Sequence, residues 1–107
     1  MTNYLMTQQL NRMEELKKKK EELEQTINNS IWDNSTYGLT YKFQNEKDLW
    51  INGNAHFTYE IVIENDRLKL KFFPNGKDLF IELKYGEILY LQDEIQHFEL
   101  RFRERIK

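Results

Sequence analysis

Few residues in this 107-residue chain are equipped for bond-making chemistry: there is no cysteine, and His56 and His97 are the only histidines. Without a thiol there is no thiolate nucleophile, disulfide or cysteine-held zinc. Both histidines fall at positions that face solvent in an extended segment. Nothing in their spacing brings them together with a carboxylate such as Glu60 or Glu99 to hold a metal. The 18 Asp and Glu residues offer many carboxylate pairs, but acid–base work needs one of them desolvated, and these sit at positions read as exposed. Phosphate-cradling glycine loops, the G-x-S-x-G elbow and H-E-x-x-H are all absent. The expectation is a protein with no catalytic residues, no metal and no cofactor, and not an enzyme.

Residues suited to binding are more numerous. Arg101, Arg103 and Arg105, extended by Lys107, recur every second position, so on a strand they line one face about 6.8 Å apart. Such a row tracks a phosphate backbone or an acidic protein surface, although a charged edge strand uses the same pattern to resist pairing with other edges. Glu99 and Glu104 dilute it. A second set places Phe73 and Phe80, with Val62, among Lys69, Lys71 and Glu82. Aromatic residues among basic ones stack single-stranded bases or meet a protein partner. A third set is the helical stripe Met6, Leu10, Met13, Leu16, Leu23 and Ile27, which fits a coiled coil or a partner's groove. Its second half is assigned to the protein's own sheet, and the Met-rich first half to a partner, because methionine adapts to varied surfaces.

These residues need elements to hold them. From Thr2 to Asn29 there is no Gly or Pro and Glu, Lys, Leu, Gln and Met dominate, which predicts a helix ended by Asn28, Asn29 and Ser30. Glu14–Lys18 and Glu15–Lys19 have favourable (i, i+4) spacing, so the run Lys17 to Lys20 fits a solvated helix face. Beyond Trp32 the apolar period changes to two. Tyr37, Leu39, Tyr41 and Phe43 share a face, a short strand covers Leu49 to Ile51, and Asn52-Gly53-Asn54 turns the chain into a strand carrying Ala55, Phe57, Tyr59, Ile61 and Ile63. A two-residue loop at Asn65-Asp66 sets Ile63 opposite Leu68, Ile61 opposite Leu70 and Tyr59 opposite Phe72, with Glu60 across from Lys71.

A type I′ loop at Asn75-Gly76 would then set Phe72 opposite Leu79, Leu70 opposite Ile81 and Lys69 opposite Glu82. After a turn at Tyr85-Gly86 the apolar parity is read as switching to Ile88 and Tyr90. A turn at Gln92 to Glu94 leads to a last strand with Phe98, Leu100, Phe102 and Ile106 inward. Trp32 and Trp50 are read as core anchors near sheet ends.

The predicted fold class is α+β, one domain over 1–107: a long N-terminal helix (2–29) packed on one face of a curved antiparallel meander of six or seven strands (35–106). A helix of that length outruns the strands, and the overhang suits a homodimer. No apolar run approaches a membrane span or a signal peptide, so the expected setting is cytoplasmic, without membrane contact. With a net charge of −2, only local patches can serve as binding surfaces. The Asn- and Lys-rich composition without Cys is compatible with a small phage or bacterial protein. The expected function is protein–protein interaction, as an inhibitor or regulator that occludes a partner's surface. The alternative is a single-stranded nucleic-acid module using the basic–aromatic face.

Overall fold

The computed structural model describes residues 2–74 and 76–106, with side chains described from residue 11 onward. Helix α1 spans Thr2–Ile27 and is followed by eight strands: β1 (Ser30–Asn34), β2 (Leu39–Gln44), β3 (Asp48–Ile51), β4 (Ala55–Glu64), β5 (Arg67–Phe73), β6 (Leu79–Lys84), β7 (Ile88–Gln92) and β8 (His97–Arg105). Each strand pairs with the next, and β8 returns to pair with β1, closing an antiparallel barrel. The helix-plus-antiparallel-sheet class holds. The open, curved meander of six or seven strands does not.

The strand that closes the ring is β1. Its five residues, Ser-Ile-Trp-Asp-Asn, have little intrinsic strand preference apart from Ile and Trp. Pairing on both sides holds it: Trp32 faces Tyr41 of β2 and Phe102 of β8. A bulge between Ile31 and Trp32 leaves Arg103 as the extra residue on β8. Closure removes every free sheet edge, so the basic row on β8 is not an edge-strand device.

The ring also changes the role of the helix. With strands closed on one another there is no open sheet face for α1 to cover. Instead its last turns cross one end of the barrel, where Leu23 and Ile27 are fully buried in the core with Trp32, Phe43 and Leu49. Leu16 is the first buried residue of the described stretch, and residues 11–15 are all exposed. A 26-residue helix is about 39 Å long, so its first half runs clear of the barrel. As the chain's single helix it forms no coiled coil within the molecule. Its ion pair is Lys20 with Glu24 at 3.2 Å. Among the described residues no helix is long and apolar enough to cross a membrane.

Asn28 and Asn29 fix the angle between helix and barrel. Asn29 takes the left-handed conformation that ends the helix (φ 53°). The Asn28 and Asn29 side-chain oxygens accept the backbone N–H groups of Glu46 (2.9 Å) and Asn45 (3.0 Å) in the β2–β3 turn. The Asn28 carbonyl accepts from Arg105 at 3.0 Å, and that of Asn29 from the Ile106 N–H at 2.9 Å. Ser30, also buried, donates to the Ile27 carbonyl and accepts from Trp32 Nε1 at 2.7 Å.

Strand registers agree with the sequence in one hairpin and depart from it in two. At Asn65-Asp66 both residues have positive φ, and Ile63↔Leu68, Ile61↔Leu70, Tyr59↔Phe72 and Glu60↔Lys71 all form. The next hairpin is displaced by two: Leu70 faces Leu79 and Lys69 faces Phe80. Asn75 of the expected type I′ loop lies outside the described residues, but Gly76 lacks the positive φ that loop requires. Pro74 has no N–H to donate to a ladder, so β5 stops at Phe73, and β6 does not begin until Leu79. A shift of two preserves the faces. At Tyr85-Gly86 the turn forms, but the three-residue connection keeps Leu83 opposite Leu89. Leu89 and Leu91 therefore point inward, and Ile88 and Tyr90 do not.

Candidate functional site

The helix closes only one end of the barrel. The other end is bounded by the loops 35–38, 52–54, 74–78 and 93–96. There the inward residues Leu39, Tyr41, Phe57, Phe72, Leu79 and Phe98 wall a cup of about 670 Å³, with Tyr37, Gly76, Lys77, Gln96 and His97 around it. An eight-stranded barrel has room for packed side chains or one small ligand, and here the two share the interior. Trp32, Phe43, Leu49 and Leu100 fill the helix-side half, and the cup occupies the rest.

Its wall is a set of aromatic contacts. Tyr41 stands edge-on to Phe43, Phe72 and Phe98 with ring centroids 6.1 to 6.2 Å apart, and Phe57 tilts against Phe72 at 5.5 Å. Edge-to-face packing at these separations fixes ring orientation beyond what burial alone does. Burial pushes the Tyr41 phenol well above its ordinary pKa, so it stays a neutral hydrogen-bond donor. The paired region of β5 and β6 is confined to Lys69 and Leu70 with their partners. Gly76 passes so close to Phe72 that any side chain there would collide with the ring.

Two further concavities flank α1. One of about 360 Å³ is acidic, lined by Glu21, Glu24, Glu46 and Glu60 around Tyr59. The Tyr59 phenol is pushed up to about 12, mainly by burial and then by the charges of Glu24, Glu46 and Asp48. The other, about 470 Å³, runs between Leu16, Lys19 and Leu23 and the β5–β6 side of the barrel. Among the described residues no cluster of three His, Asp or Glu side chains is placed to hold a metal ion.

The barrel separates the binding residues expected from sequence. Lys69, Lys71 and Phe73 lie on β5 with Phe80 beside them on β6, whereas Arg101, Arg103 and Arg105 lie on β8, with β7 intervening. Both sets have local partners. Lys69 pairs with Glu64 at 3.1 Å, and Lys71 lies 3.7 Å from Glu64 and 3.9 Å from Asp78. Arg67 and Lys69 stand over the Phe80 ring at 3.9 and 5.0 Å. Arg103 is 3.8 Å from Asp33 and 3.9 Å from Glu104, Arg105 is held by the Asn28 carbonyl, and Arg101 lies opposite Asp33 in the β1–β8 register. Phe73 and Phe102 remain partly exposed, Phe102 standing edge-on to Trp32 at 5.5 Å.

Met13 is exposed on the projecting part of α1. Met6 and Leu10 belong to the same helix, but their side chains lie outside the described residues. Trp32 is the core anchor expected. Trp50 is not: it stacks on His56 at 4.5 Å on the outer wall, where His56 also contacts Asp48 at 3.0 Å.

The cup is the feature that strand-by-strand reading misses. Each of its wall residues reads as an ordinary inward apolar position, and only closure of the ring turns six of them into a concavity. Comparison of the chain with protein-family models, curated proteins and solved structures finds no match among any of the three.

Proposed function

We propose that this chain is a non-enzymatic binding protein whose site is the open barrel mouth, where it encloses a small, largely apolar molecule. The observation that carries this is the cup of about 670 Å³ with an aromatic wall at the end that α1 leaves uncovered. Its size and lining are those of small-molecule sites, which are concave, mostly apolar and furnished with a few polar groups. The uncharged dye N-phenyl-1-naphthylamine tests it. Saturable fluorescence enhancement at one dye per chain is expected, and Leu39→Trp, which fills the cup, should abolish it. Absence of enhancement, or full binding by the Leu39→Trp protein, refutes the assignment.

A second reading, a regulator that docks on a protein partner through α1, is favoured by a separate observation. Residues 11–15 are all exposed and include Met13, on a helix that continues beyond the barrel. The partner tested first is a second copy of this chain. Light scattering at high concentration should show a dimer that Met13→Glu dissociates, and a wild-type monomer rejects this reading. A nucleic-acid module has less support, because its basic residues are divided between β5 and β8, and Lys69, Lys71 and Arg103 among them pair with local carboxylates.

A further inference from the structure

The cup is apolar in its wall, and among the side chains that line it Lys77 carries the one fixed charge. Tyrosine hydroxyls aside, Lys77 and His97 are the titratable side chains that line it, and no Asp or Glu does. In a chain with more acidic than basic residues, the two cavities beside α1 both carry carboxylates in their lining. The loops around this rim also carry Asp78, Asp93 and Glu94, none of which lines the cup. Asp93 accepts the backbone N–H groups of Ile95 and Gln96, each at 2.8 Å, within its own turn. Asp78 faces Lys71 at 3.9 Å. Lys77 acts on Asp93 through the field of its charge, and among the described residues it closes no ion pair.

A molecule whose apolar part fills the cup must leave its polar end at this rim. An ammonium there meets a like charge, and a hydroxyl can accept from Lys77 but brings no opposite charge to it. A carboxylate gains the charge-assisted bond, which is roughly twice as strong. Accepting the mouth as the binding site, we infer that it takes monocarboxylates with an apolar body, the carboxylate held at the rim by Lys77 with His97 beside it and the body against Phe57, Phe72 and Phe98.

The test displaces bound N-phenyl-1-naphthylamine with decanoate, decanol and decylamine, three ligands with the same chain and different heads. Decanoate should displace the dye at a concentration about tenfold below that of decanol and lower still than decylamine. Lys77→Gln, at an exposed loop position, should bring decanoate within about twofold of decanol, both heads being compared against the variant's own dye affinity. Equal displacement by the three heads, or a preference that survives Lys77→Gln, overturns the carboxylate assignment while dye binding leaves the cup in place. Failure of the dye to bind overturns both.

Discussion

At the helix end of the barrel Leu23 and Ile27 are buried to the last atom, and the joint at Asn28 and Asn29 ties α1 to the β2–β3 turn and to β8. At the mouth, Leu39, Phe57 and Phe98 are only partly buried, and no described element crosses above them. Both ends are walled by residues of the same apolar alternation. The difference is a plug: where α1 supplies side chains the end of the core is sealed, and where it supplies none the core, with Tyr41, Phe72 and Leu79 still buried in it, is left open as a cup. Residues at the first end should therefore govern stability, and residues at the second should govern binding, with a cost in stability only where a substitution crowds the wall.

The largest effect is expected at the plug. Ile27→Ala should cost about 2–5 kcal/mol in denaturant unfolding, the usual range for emptying a packed aliphatic site, while dye affinity in the folded protein stays as in wild type. A loss below about 1 kcal/mol would erase the contrast between the ends. Gly76→Ala sharpens it from the other side. The new methyl meets Phe72, and overpacking of this kind costs about 1–3 kcal/mol, here together with weakened dye binding because Phe72 walls the cup. Asn29→Ala should cost about 1 kcal/mol, from a left-handed backbone that alanine disfavours and a lost bond to Asn45. Asn29→Gly should lose less, because it keeps the conformation. Tyr37→Ser, at a rim residue 70% exposed, should change stability by less than about 0.5 kcal/mol yet weaken the dye. An unaltered dye affinity there would move the site deeper into the cup.

The smallest effect lies on the outer surface, away from both plug and cup, and serves as a baseline. Lys69, through a hydrogen bond and its charge, holds the Glu64 carboxyl below its ordinary pKa. A carboxyl depressed in the folded state contributes stability at neutral pH that is lost as pH falls through the carboxylate range. Glu64→Gln should therefore slightly flatten the acid limb of melting temperature against pH. A steeper limb would contradict the pairing.

Where the chain's own neighbours decide, its sequence was readable. The helix and the Asn65-Asp66 hairpin are local, and the hairpin's register follows from loop length and alternation alone. Where a distant segment decides, it was not. β1 was invisible because Ser30, Asp33 and Asn34 carry no strand signal, and its two partners lie elsewhere in the chain. The shifted β5–β6 register came from Pro74, which denies the ladder a donor, and the inward face of β7 from one extra residue in a turn. Each error was locally reasonable. Among the candidate site residues, exposure of Met13 and Phe73 was legible. That Lys71 and Arg103 belong to separate walls was not, because a linear meander has no far side.

The β1–β8 pairing has one more consequence, for the order of events in folding. Ser30 and Arg105 are 75 positions apart and adjacent in the ring, a separation that spans most of the chain. Loop closure of that length comes late and slows folding. During synthesis seven strands are available before the last one exists, so the nascent sheet is a ribbon with two unpaired edges. Arg101 arrives on the closing strand opposite Asp33 of β1, an opposite-charge pair that favours this closure.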